Sequence, residues 1–413
     1  MRQSRLFTKT RREAPSDETA KNAQLLVRAG YIHKEMAGVY SYLPLGLRTL
    51  NKIIQIIREE MDAVGGQEII MTALQDKTLW ERTDRWDETK VDIWFKMKFA
   101  GGGDTGLAIT HEEPLTRIMT AHISSYRDLP TMVYQFQNKF RNELRAKSGV
   151  MRGKEFMMKD LYSFAKSAEE HEAQYAAVRA AYVRIFERLG LAGRTYPTFA
   201  SGGVFSDFSE EFQTLSEAGE DTIYVDEKKH IAVNREVLTD EALAKLGIDR
   251  ATLVEKKAVE SGNIFHLGTR FSETLGLSFT DETGAKKPVI MGSYGIGVTR
   301  MVGILTEVFA DEKGLVWPES VAPFAVHLVS LGKEGDEISK TADTLYDDLT
   351  KAGVEVLYDD RDLRAGEKFA ESDLLGIPKR VVVGKDAAAT GVFEVVTRLN
   401  GAVEKVPREQ LLS

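Results

Sequence analysis

The sequence predicts an α+β domain built on an antiparallel sheet, followed by an α/β domain. In residues 131–164, two stretches of alternating apolar and polar residues flank a basic loop with glycines, which is typical of an antiparallel hairpin. From residue 322 onward, apolar strand-like segments alternate with helix-like segments, which indicates an α/β layer. The predicted domains are therefore residues 1–318 and 319–413.

The composition limits the possible functions. The chain has 413 residues, 43% of them hydrophobic, a formal net charge of −8 and no cysteine. No apolar run has the length of a membrane helix, so we expect no membrane partner. Without cysteine the chain forms no disulfides and no Cys-based zinc site, so no fixed zinc site is predicted, and a cytoplasmic location is expected. The acidic balance argues against non-specific coating of nucleic acid but allows a local basic face that binds RNA.

The first part of the chain predicts two helices and a strand. Residues 17–30 have helical spacing and end at a glycine. Residues 45–64 predict a longer helix that stops at Gly65–Gly66, and residues 67–74 predict the strand that follows. Such a helix either packs on a core within a monomer or lies at a subunit interface.

The next segment contains a short polar motif. Residues 91–108 predict two short strands, and Thr110-His111-Glu112 then opens a helix that runs to Ser125. One interpretation is that Thr110 caps the helix and that the acids favour its positive end. The other, implied by the family resemblance described below, is that Glu112 binds the ammonium group of a ligand. The two interpretations are compatible.

The hairpin at 131–164 presents groups that suit a nucleotide. The first arm places Arg141 and Glu143 on one face by its period of two. The return arm places Phe156, Met158, Asp160 and Tyr162 on one face, and the loop contributes Arg145, Lys147 and Arg152. Adenine stacks on a ring, phosphates bind arginine, and the adenine amino group needs an acceptor. The alternative is an amphipathic hairpin whose charges are only solvated.

The rest of the first domain predicts one long helix and two further strands. Residues 168–189 predict the helix, and residues 261–271 a strand with polar positions. Residues 224–260 are too few to bury a core of their own. Residues 288–307 predict a strand that enters Gly-x-Gly-x-x-Arg, ending at Arg300, and then an apolar helix.

The second domain predicts a mainly parallel sheet. Its predicted elements are strands at 324–331, 354–358 and 380–383, helices at 338–351 and 368–375, and a last strand pair after residue 391.

Several of these segments carry a resemblance to a known family. Phe-Arg-Asn-Glu, the loop and Arg-Gly-Lys-Glu-Phe resemble motif 2 of the class II aminoacyl-tRNA synthetases, at about 131–164. Glu-Phe-Met-Met-Lys-Asp-Leu-Tyr-Ser-Phe and Thr-x-Glu are similar to the bacterial-type prolyl-tRNA synthetases. Gly-x-Gly-x-x-Arg resembles motif 3, at about 288–307, and residues 45–74 resemble motif 1, with Thr72 where proline is usual. The resemblance covers nearly the whole chain.

The resemblance implies a class II synthetase fold, an anticodon-binding domain and the activity of a proline-specific enzyme. Such an enzyme uses ATP and Mg²⁺ to activate L-proline and transfers it to tRNA(Pro), and motif 1 implies a homodimer. Many bacterial relatives carry a large editing domain between motifs 2 and 3, which the short segment at 224–260 cannot provide. The expectation is therefore no editing in cis, with a possible separate protein that edits in trans.

The resemblance also assigns residues. It implies that Arg141 and Arg300 are catalytic. The implied proline-binding residues are Thr110, Glu112, Arg141, Met158, Tyr162 and Ser293. The implied ATP-binding residues are Arg141, Glu143, Arg152, Phe156, His266, Thr269 and Arg300, where His266 replaces the usual glutamine. A Gly-Gly element at 202–213 resembles the family only in part and leaves Glu211 as a candidate. The expected anticodon contacts are Arg361, Arg364 and Lys368.

Two rival functions stay open at this point. The first is the activity of another synthetase of the class. Threonyl enzymes need a zinc site with cysteine, which this chain lacks. Glycyl and histidyl enzymes are not expected to combine Thr-His-Glu with Phe-Met-Met-Lys-Asp-Leu-Tyr. The second is a catalytically silent paralogue that binds RNA. Such a paralogue tends to lose the arginines that hold ATP, whereas Arg141 and Arg300 are present.

Overall fold

A computed structural model describes residues 1–144, 148–201 and 208–412. The loop residues Arg145 and Lys147 and most of the glycine-containing element, 202–207, lie outside the described residues. Packing divides the chain into two compact units. One comprises residues 1–36, 40–52 and 305–413, and the other comprises residues 37–39 and 53–304.

The described residues form helices and strands along the whole chain. The α-helices are α1 Lys21–Arg28, α2 Pro44–Ala63, α3 Lys77–Glu81, α4 Glu112–Met119, α5 Ala168–Arg188, α6 Asp240–Leu246, α7 Arg270–Leu275, α8 Val298–Phe309, α9 Glu337–Lys351, α10 Ala365–Leu375, α11 Lys385–Thr390 and α12 Arg408–Leu411. The strands up to the middle of the chain are β1 Ile32–Met36, β2 Val39–Tyr42, β3 Gln67–Glu68, β4 Leu74–Asp76, β5 Lys96–Lys98, β6 Asp104–Leu107, β7 Thr131–Phe140, β8 Glu155–Ala165, β9 Thr195–Ser201 and β10 Phe208–Leu215. The remaining strands are β11 Asp221–Asp226, β12 Ile231–Asn234, β13 Val254–Gly268, β14 Ser278–Thr280, β15 Lys286–Pro288, β16 Ile290–Gly297, β17 Val326–Ser330, β18 Val356–Asp359, β19 Lys379–Val383, β20 Val392–Thr397 and β21 Val403–Pro407. Among these described helices, none combines the length and the apolar character that crossing a bilayer requires.

The unit that contains residues 53–304 is organised around a nine-stranded sheet. Its strand order is β10-β9-β12-β11-β13-β16-β8-β7-β3, and β10 also pairs with β13. The β7–β8, β8–β16 and β16–β13 pairs at its centre are antiparallel. The pairs β3–β7 and β9–β12 are parallel. The predicted α+β architecture with an antiparallel sheet is confirmed.

The predicted hairpin forms the middle of this sheet. β7 and β8 pair over their whole length, from Thr131 opposite Phe164 to Phe140 opposite Glu155. The polar face of β7 is not solvated, as the alternative interpretation required, because Gln135 and Lys139 are both fully buried. Buried polar groups need partners. The polar face therefore belongs to an internal site.

The predicted strand at 67–74 is wrong for most of its length. Only Gln67–Glu68 pairs with β7, and β4 begins at Leu74. Between them, Ile69 N–H still donates to the backbone oxygen of Tyr134 in β7 at 2.8 Å, but Met71 N–H donates to the side-chain oxygen Gln135 Oε1 at 3.0 Å. Such side-chain bonds replace the ladder that a strand needs.

The segment between the hairpin and motif 3 has no domain of its own among its described residues. β11, β12 and β13 are strands of the nine-stranded sheet. α6 packs Leu243 beside Val233 and Ile248 in a small apolar cluster. The segment thus extends the sheet.

The second unit contains a five-stranded sheet in the order β18-β17-β19-β20-β21. The pairs β17–β18 and β17–β19 are parallel, whereas β19–β20 and β20–β21 are antiparallel. The expectation of a mainly parallel sheet is corrected, because the last two strands form a meander with short connections. α9 and α11 pack Leu345, Leu349 and Ala387 against the sheet. The predicted α/β character is confirmed.

Candidate active site

Two adjoining cavities lie on the nine-stranded sheet, and Arg141 lines both of them. The larger has a volume of about 510 Å³ and the smaller about 210 Å³. The larger combines aromatic and apolar side chains with a similar number of polar and charged ones, whereas the smaller is lined largely by charged ones. This pairing suits a small, partly apolar ligand placed next to a highly charged one.

The register of the sheet assembles the floor of the larger cavity. Tyr162 of β8 lies opposite Ser293 of β16, which in turn lies opposite Phe265 of β13. Residues that face each other across strands lie on the same side of a sheet. Gly295 lies in the next row, opposite Asp160, and a Cβ there would stand 2.3 Å from Cε of Met158. A side chain at this glycine of Gly-x-Gly would therefore have to displace the end of the Met158 side chain within the cavity.

Glu112 is the acidic group of the larger cavity, and it is held from two sides. Thr110 Oγ1 donates to its Oε1 at 2.8 Å, and the hydroxyls of Tyr162 and Ser293 each lie 3.4 Å from the same oxygen. On the other side, Arg85 Nη1 lies 3.2 Å from Oε2. The N-cap residue of α4, whose first residue is Glu112, is His111 and not Thr110. The structure therefore does not support Thr110 as the cap, and it places the Thr110 hydroxyl against the carboxylate of Glu112.

A buried network of polar side chains lies next to Glu112. Lys139 Nζ lies 2.8 Å from Asp160 Oδ1 and 2.6 Å from His111 Nδ1. The hydroxyl of Tyr162 donates to Asp160 Oδ2 at 3.1 Å. Burial lowers the pKa of His111 to about 4 and lowers that of Lys139. His111 is therefore neutral at pH 7, and its Nε2 lies 3.0 Å from the backbone oxygen of Thr72.

The smaller cavity is organised by arginines and acids. Arg300, at the start of α8, donates from Nε to the backbone oxygen of Met151 at 2.9 Å and from Nη1 to Glu260 Oε2 at 3.1 Å. Arg152 donates to Glu143 at 3.0 Å and to Glu220 at 2.8 Å. These cations hold their carboxylates by ordinary ion pairs. A polyanion that enters must compete with those acids for the arginines.

Arg141 differs from its neighbours, because no carboxylate of the described residues lies within ion-pair distance of it. Its Nε and Nη2 each lie 3.4 Å from the backbone oxygen of Ile109, and its Cζ lies 5.2 Å from the ring centroid of Phe156. Burial lowers the pKa of Arg141, and the charge of Arg300 lowers it further. Two cations that repel each other beside an open cavity are a strong attractor for an anion.

Three predicted ATP-binding residues, Phe156, His266 and Thr269, do not line either cavity, although Phe156 lies beside Arg141. His266 faces α5, where its Nδ1 lies 2.8 Å from His171 Nε2 and its ring stacks on Tyr175 with centroids 4.0 Å apart. Thr269 Oγ1 donates to Glu273 at 2.9 Å. Alternation along β13 is the reason, since Phe265 and Leu267 line the larger cavity and His266 must point to the opposite face.

Sequence analysis also missed several cavity residues. Asn263 and Phe265 line the larger cavity, Glu260 lines the smaller one, and Arg85 enters the larger from the segment after α3. The β13 residues were detectable by the period of two once its pairing with β16 is known. Arg85 carries no local signal, because only the tertiary fold brings it to Glu112.

Glu211 lies near the smaller cavity but not in its lining. Gln213 Nε2 donates to Glu211 Oε2 and to Asp221 Oδ2, each at 2.9 Å. Burial raises the pKa of Glu211 to about 7, and the charge of Glu260 contributes. Its role stays a prediction.

The predicted RNA contacts of the second unit divide into two kinds. Lys368 is 1% exposed and donates to the backbone oxygen of Ser330 at 2.7 Å. Arg361 makes two bonds of 2.8 Å to the carboxylate of Asp359. Both cations are therefore used internally, whereas the side chain of Arg364 is exposed.

The sequence matches two known families. The family described as "tRNA synthetase class II core domain (G, H, P, S and T)" matches residues 95–309, and the "Anticodon binding domain" matches residues 325–413. Among solved structures, prolyl-tRNA synthetase from Cryptosporidium parvum, complexed with L-proline and AMP, is similar with a TM-score of 0.76 at 20% identity, over 95% of this chain and 73% of that one. The Giardia lamblia prolyl-tRNA synthetase, in complex with prolyl-adenylate, gives a TM-score of 0.78 at 20% identity, over 94% and 75%. The fold is thus that of a class II aminoacyl-tRNA synthetase.

Curated relatives narrow the class further. "Proline--tRNA ligase" of Caulobacter vibrioides strain NA1000 is 39% identical over 439 aligned residues, covering 100% of this chain and 98% of the relative. "Proline--tRNA ligase" of Rickettsia africae is 36% identical over 426, covering 99% of each. The chain belongs to the proline–tRNA ligase family.

Proposed function

We propose that this chain activates L-proline with ATP to form prolyl-adenylate and transfers the prolyl group to the 3′ end of tRNA(Pro). The observation that carries the proposal is the position of Arg141, a partly buried guanidinium shared by an acid-bearing cavity and an arginine-rich cavity. The first reaction joins two anions, the carboxylate of proline and the α-phosphate of ATP. A cation with no carboxylate partner among the described residues, at the junction of the two cavities, is suited to both.

We propose that the larger cavity binds proline. Glu112, with Thr110, is proposed to accept from the two N–H groups of the secondary ammonium, because a charged acceptor pairs best with a charged donor. Met158 and Tyr162 are proposed to line the slot for the ring, and Ser293 to complete its polar side. The apolar and aromatic side chains of this lining fit the ring of a ligand that has no polar side-chain atoms.

We propose that the smaller cavity binds the nucleotide. Arg152 and Arg300 are proposed to bind the phosphates, Phe156 to stack on adenine and Glu143 to accept from its amino group. Stacking and cation–π contacts on an adenine are worth on the order of 1–3 kcal/mol. His266 and Thr269 face elsewhere, so any effect they have on ATP is proposed to be indirect.

The chemistry then needs position and charge more than a nucleophilic side chain. A carboxylate oxygen of proline attacks the α-phosphorus, the bond from that phosphorus to the bridging oxygen breaks, and pyrophosphate leaves. Arg141 and Arg300 are proposed to offset the charge that grows on these oxygens. The terminal ribose hydroxyl of the tRNA then attacks the prolyl carbonyl, and AMP leaves.

Mg²⁺ is part of this proposal, and the residues present fit it. Hard cations prefer oxygen ligands, and Asp221 and Glu260 line the smaller cavity with carboxylates. When bound with ATP, the ion would neutralise phosphate charge and favour a bent nucleotide. Asp221 and Glu260 are the residues proposed to hold it.

The family suggests further features that we also propose. These are a homodimer formed through motif 1, a domain boundary near residue 318, a cytoplasmic location and a separate protein that edits in trans. In the second unit we propose Arg364 as a direct anticodon contact, with Arg361 and Lys368 acting by holding the loop that carries it.

Exchange of pyrophosphate into ATP, measured with each of the twenty amino acids, tests the function. Exchange that depends on proline is the expected result. Exchange that depends instead on glycine, histidine or threonine would assign another synthetase, and absence of exchange with every amino acid would favour the silent paralogue.

A further inference from the structure

The segment between α3 and β5 brings the guanidinium of Arg85 to the larger cavity. Arg85 lines this cavity together with Glu112, although the two residues are on separate elements. Its side chain retains 22% exposure, so the guanidinium is near the cavity surface and not in a sealed core.

Hydrogen bonds hold the backbone at Arg85. Asp84, directly before it, has a φ of +58°, in the left-handed region that aspartate adopts more often than most residues other than glycine. Arg85 N–H donates to the backbone oxygen of Trp80 at 3.1 Å, and its own backbone oxygen accepts from Trp94 Nε1 at 2.9 Å.

The side chain of Arg85 is fixed as well as its backbone. Its Cζ lies 5.1 Å from the ring centroid of Trp80 and 5.6 Å from that of Phe271. One nitrogen, Nη1, lies 3.2 Å from Glu112 Oε2 and 2.9 and 3.0 Å from the two oxygens of Glu113. A single guanidinium thus joins two adjacent carboxylates of α4.

The two carboxylates differ in their environment. Glu113 is fully buried and also accepts from Thr83 Oγ1 at 2.9 Å, whereas Glu112 faces the cavity. Without Arg85, two neighbouring acids would compete to be the ionised one, and Glu112 would lose the partner on its Oε2. Arg85 therefore decides how the carboxylate of Glu112 is oriented.

We propose that Arg85 is a positioning residue for recognition of the amino acid. It ties Glu112 to the buried Glu113, so that one oriented carboxylate is presented to the ammonium of the substrate. This inference rests on the proposed function, since it assigns the amine to Glu112. It adds a residue outside the three motifs and Thr-x-Glu.

The test is steady-state pyrophosphate exchange by the R85M variant of the full chain. A charged hydrogen bond that orients Glu112 is worth about 1.5–3 kcal/mol, which predicts a rise of at least tenfold in the KM for proline. The KM for ATP is expected to stay within about twofold, because Arg85 does not line the smaller cavity. R85K, which keeps the charge, is expected to recover part of the loss.

A structural role alone would predict a different pattern, and a double variant separates the two. R85M leaves Glu113 buried without its cation, so the melting temperature should fall. R85M combined with E113Q removes that buried charge, so the melting temperature should rise again while the KM for proline stays raised. R117M, on an exposed pair of the same helix, is the matched control.

The outcomes are distinct. A KM for proline that recovers together with the melting temperature in the double variant would overturn the proposal, as would equal changes in the KM of proline and of ATP. If the unmodified chain shows no exchange with proline, the proposed function itself has failed, which the unmodified chain reports before any variant is made.

Discussion

Replacing Arg141 by methionine should separate activity from stability. In this structure Arg141 is partly buried, its guanidinium is bonded only weakly to the backbone of Ile109, and the described residues place no carboxylate within ion-pair distance of it. Its pKa is lowered by burial and by the charge of Arg300, so the charged guanidinium destabilises the folded state. Methionine has a similar length and no charge. R141M is therefore expected to raise the free energy of unfolding by about 0.5–2 kcal/mol.

The same change should nearly abolish catalysis. Loss of one preorganised donor that faces developing charge typically costs 10²–10³-fold in rate, or about 2.7–4 kcal/mol. Because Arg141 lines both cavities, kcat/KM should fall for both proline and ATP. Pyrophosphate exchange and urea denaturation on the same preparation measure the two effects, with R117M as the control. An R141M enzyme that keeps exchange within tenfold of the parent, or that unfolds more easily, would refute the reasoning.

Three further predictions concern other parts of the chain. Burial raises the pKa of Glu113 to about 7, so the folded state binds the extra proton and stability falls as pH rises from about 4.5 through 7; E113Q should flatten this slope in urea denaturation between pH 5 and 8. In the second unit, R364A should weaken tRNA binding without lowering the melting temperature, whereas K368M should lower it, because Lys368 is buried; filter binding and thermal denaturation measure the two. G295A should raise the KM for proline several-fold in the exchange assay, because the new methyl group would displace Met158.

Local periodicity predicted most of the elements of this fold. The hairpin, the long helix at 168–188 and the strand leading to Arg300 were identified because each contains a sustained pattern of two or 3.6 residues. The prediction of a strand at 67–74 was wrong for a physical reason. Its backbone bonds to the Gln135 side chain, and a partner of that kind leaves no trace in local spacing.

The site was predictable where the residues lie on the hairpin and less so elsewhere. Thr110, Glu112 and Arg141 follow from motif and alternation, and the structure brings them together. His266 was predicted to bind ATP, but it lies one position away from the residues of β13 that face the cavity. A shift of one position in a strand turns a side chain to the opposite face. Arg85 was missed because it reaches Glu112 through tertiary packing.

The shared position of Arg141 suggests why a single cation is placed at the junction. Two unit anions brought to about 4 Å repel by about 4 kcal/mol at an effective dielectric constant of 20. The reaction that we propose must bring proline's carboxylate this close to the α-phosphate, so the repulsion has to be offset before chemistry begins. A guanidinium that lined only one cavity would stabilise one ligand alone, and the repulsion between the two ligands would remain. Arg141 borders both, and because no acid of the described residues holds it, its charge is available at the moment when the two ligands meet.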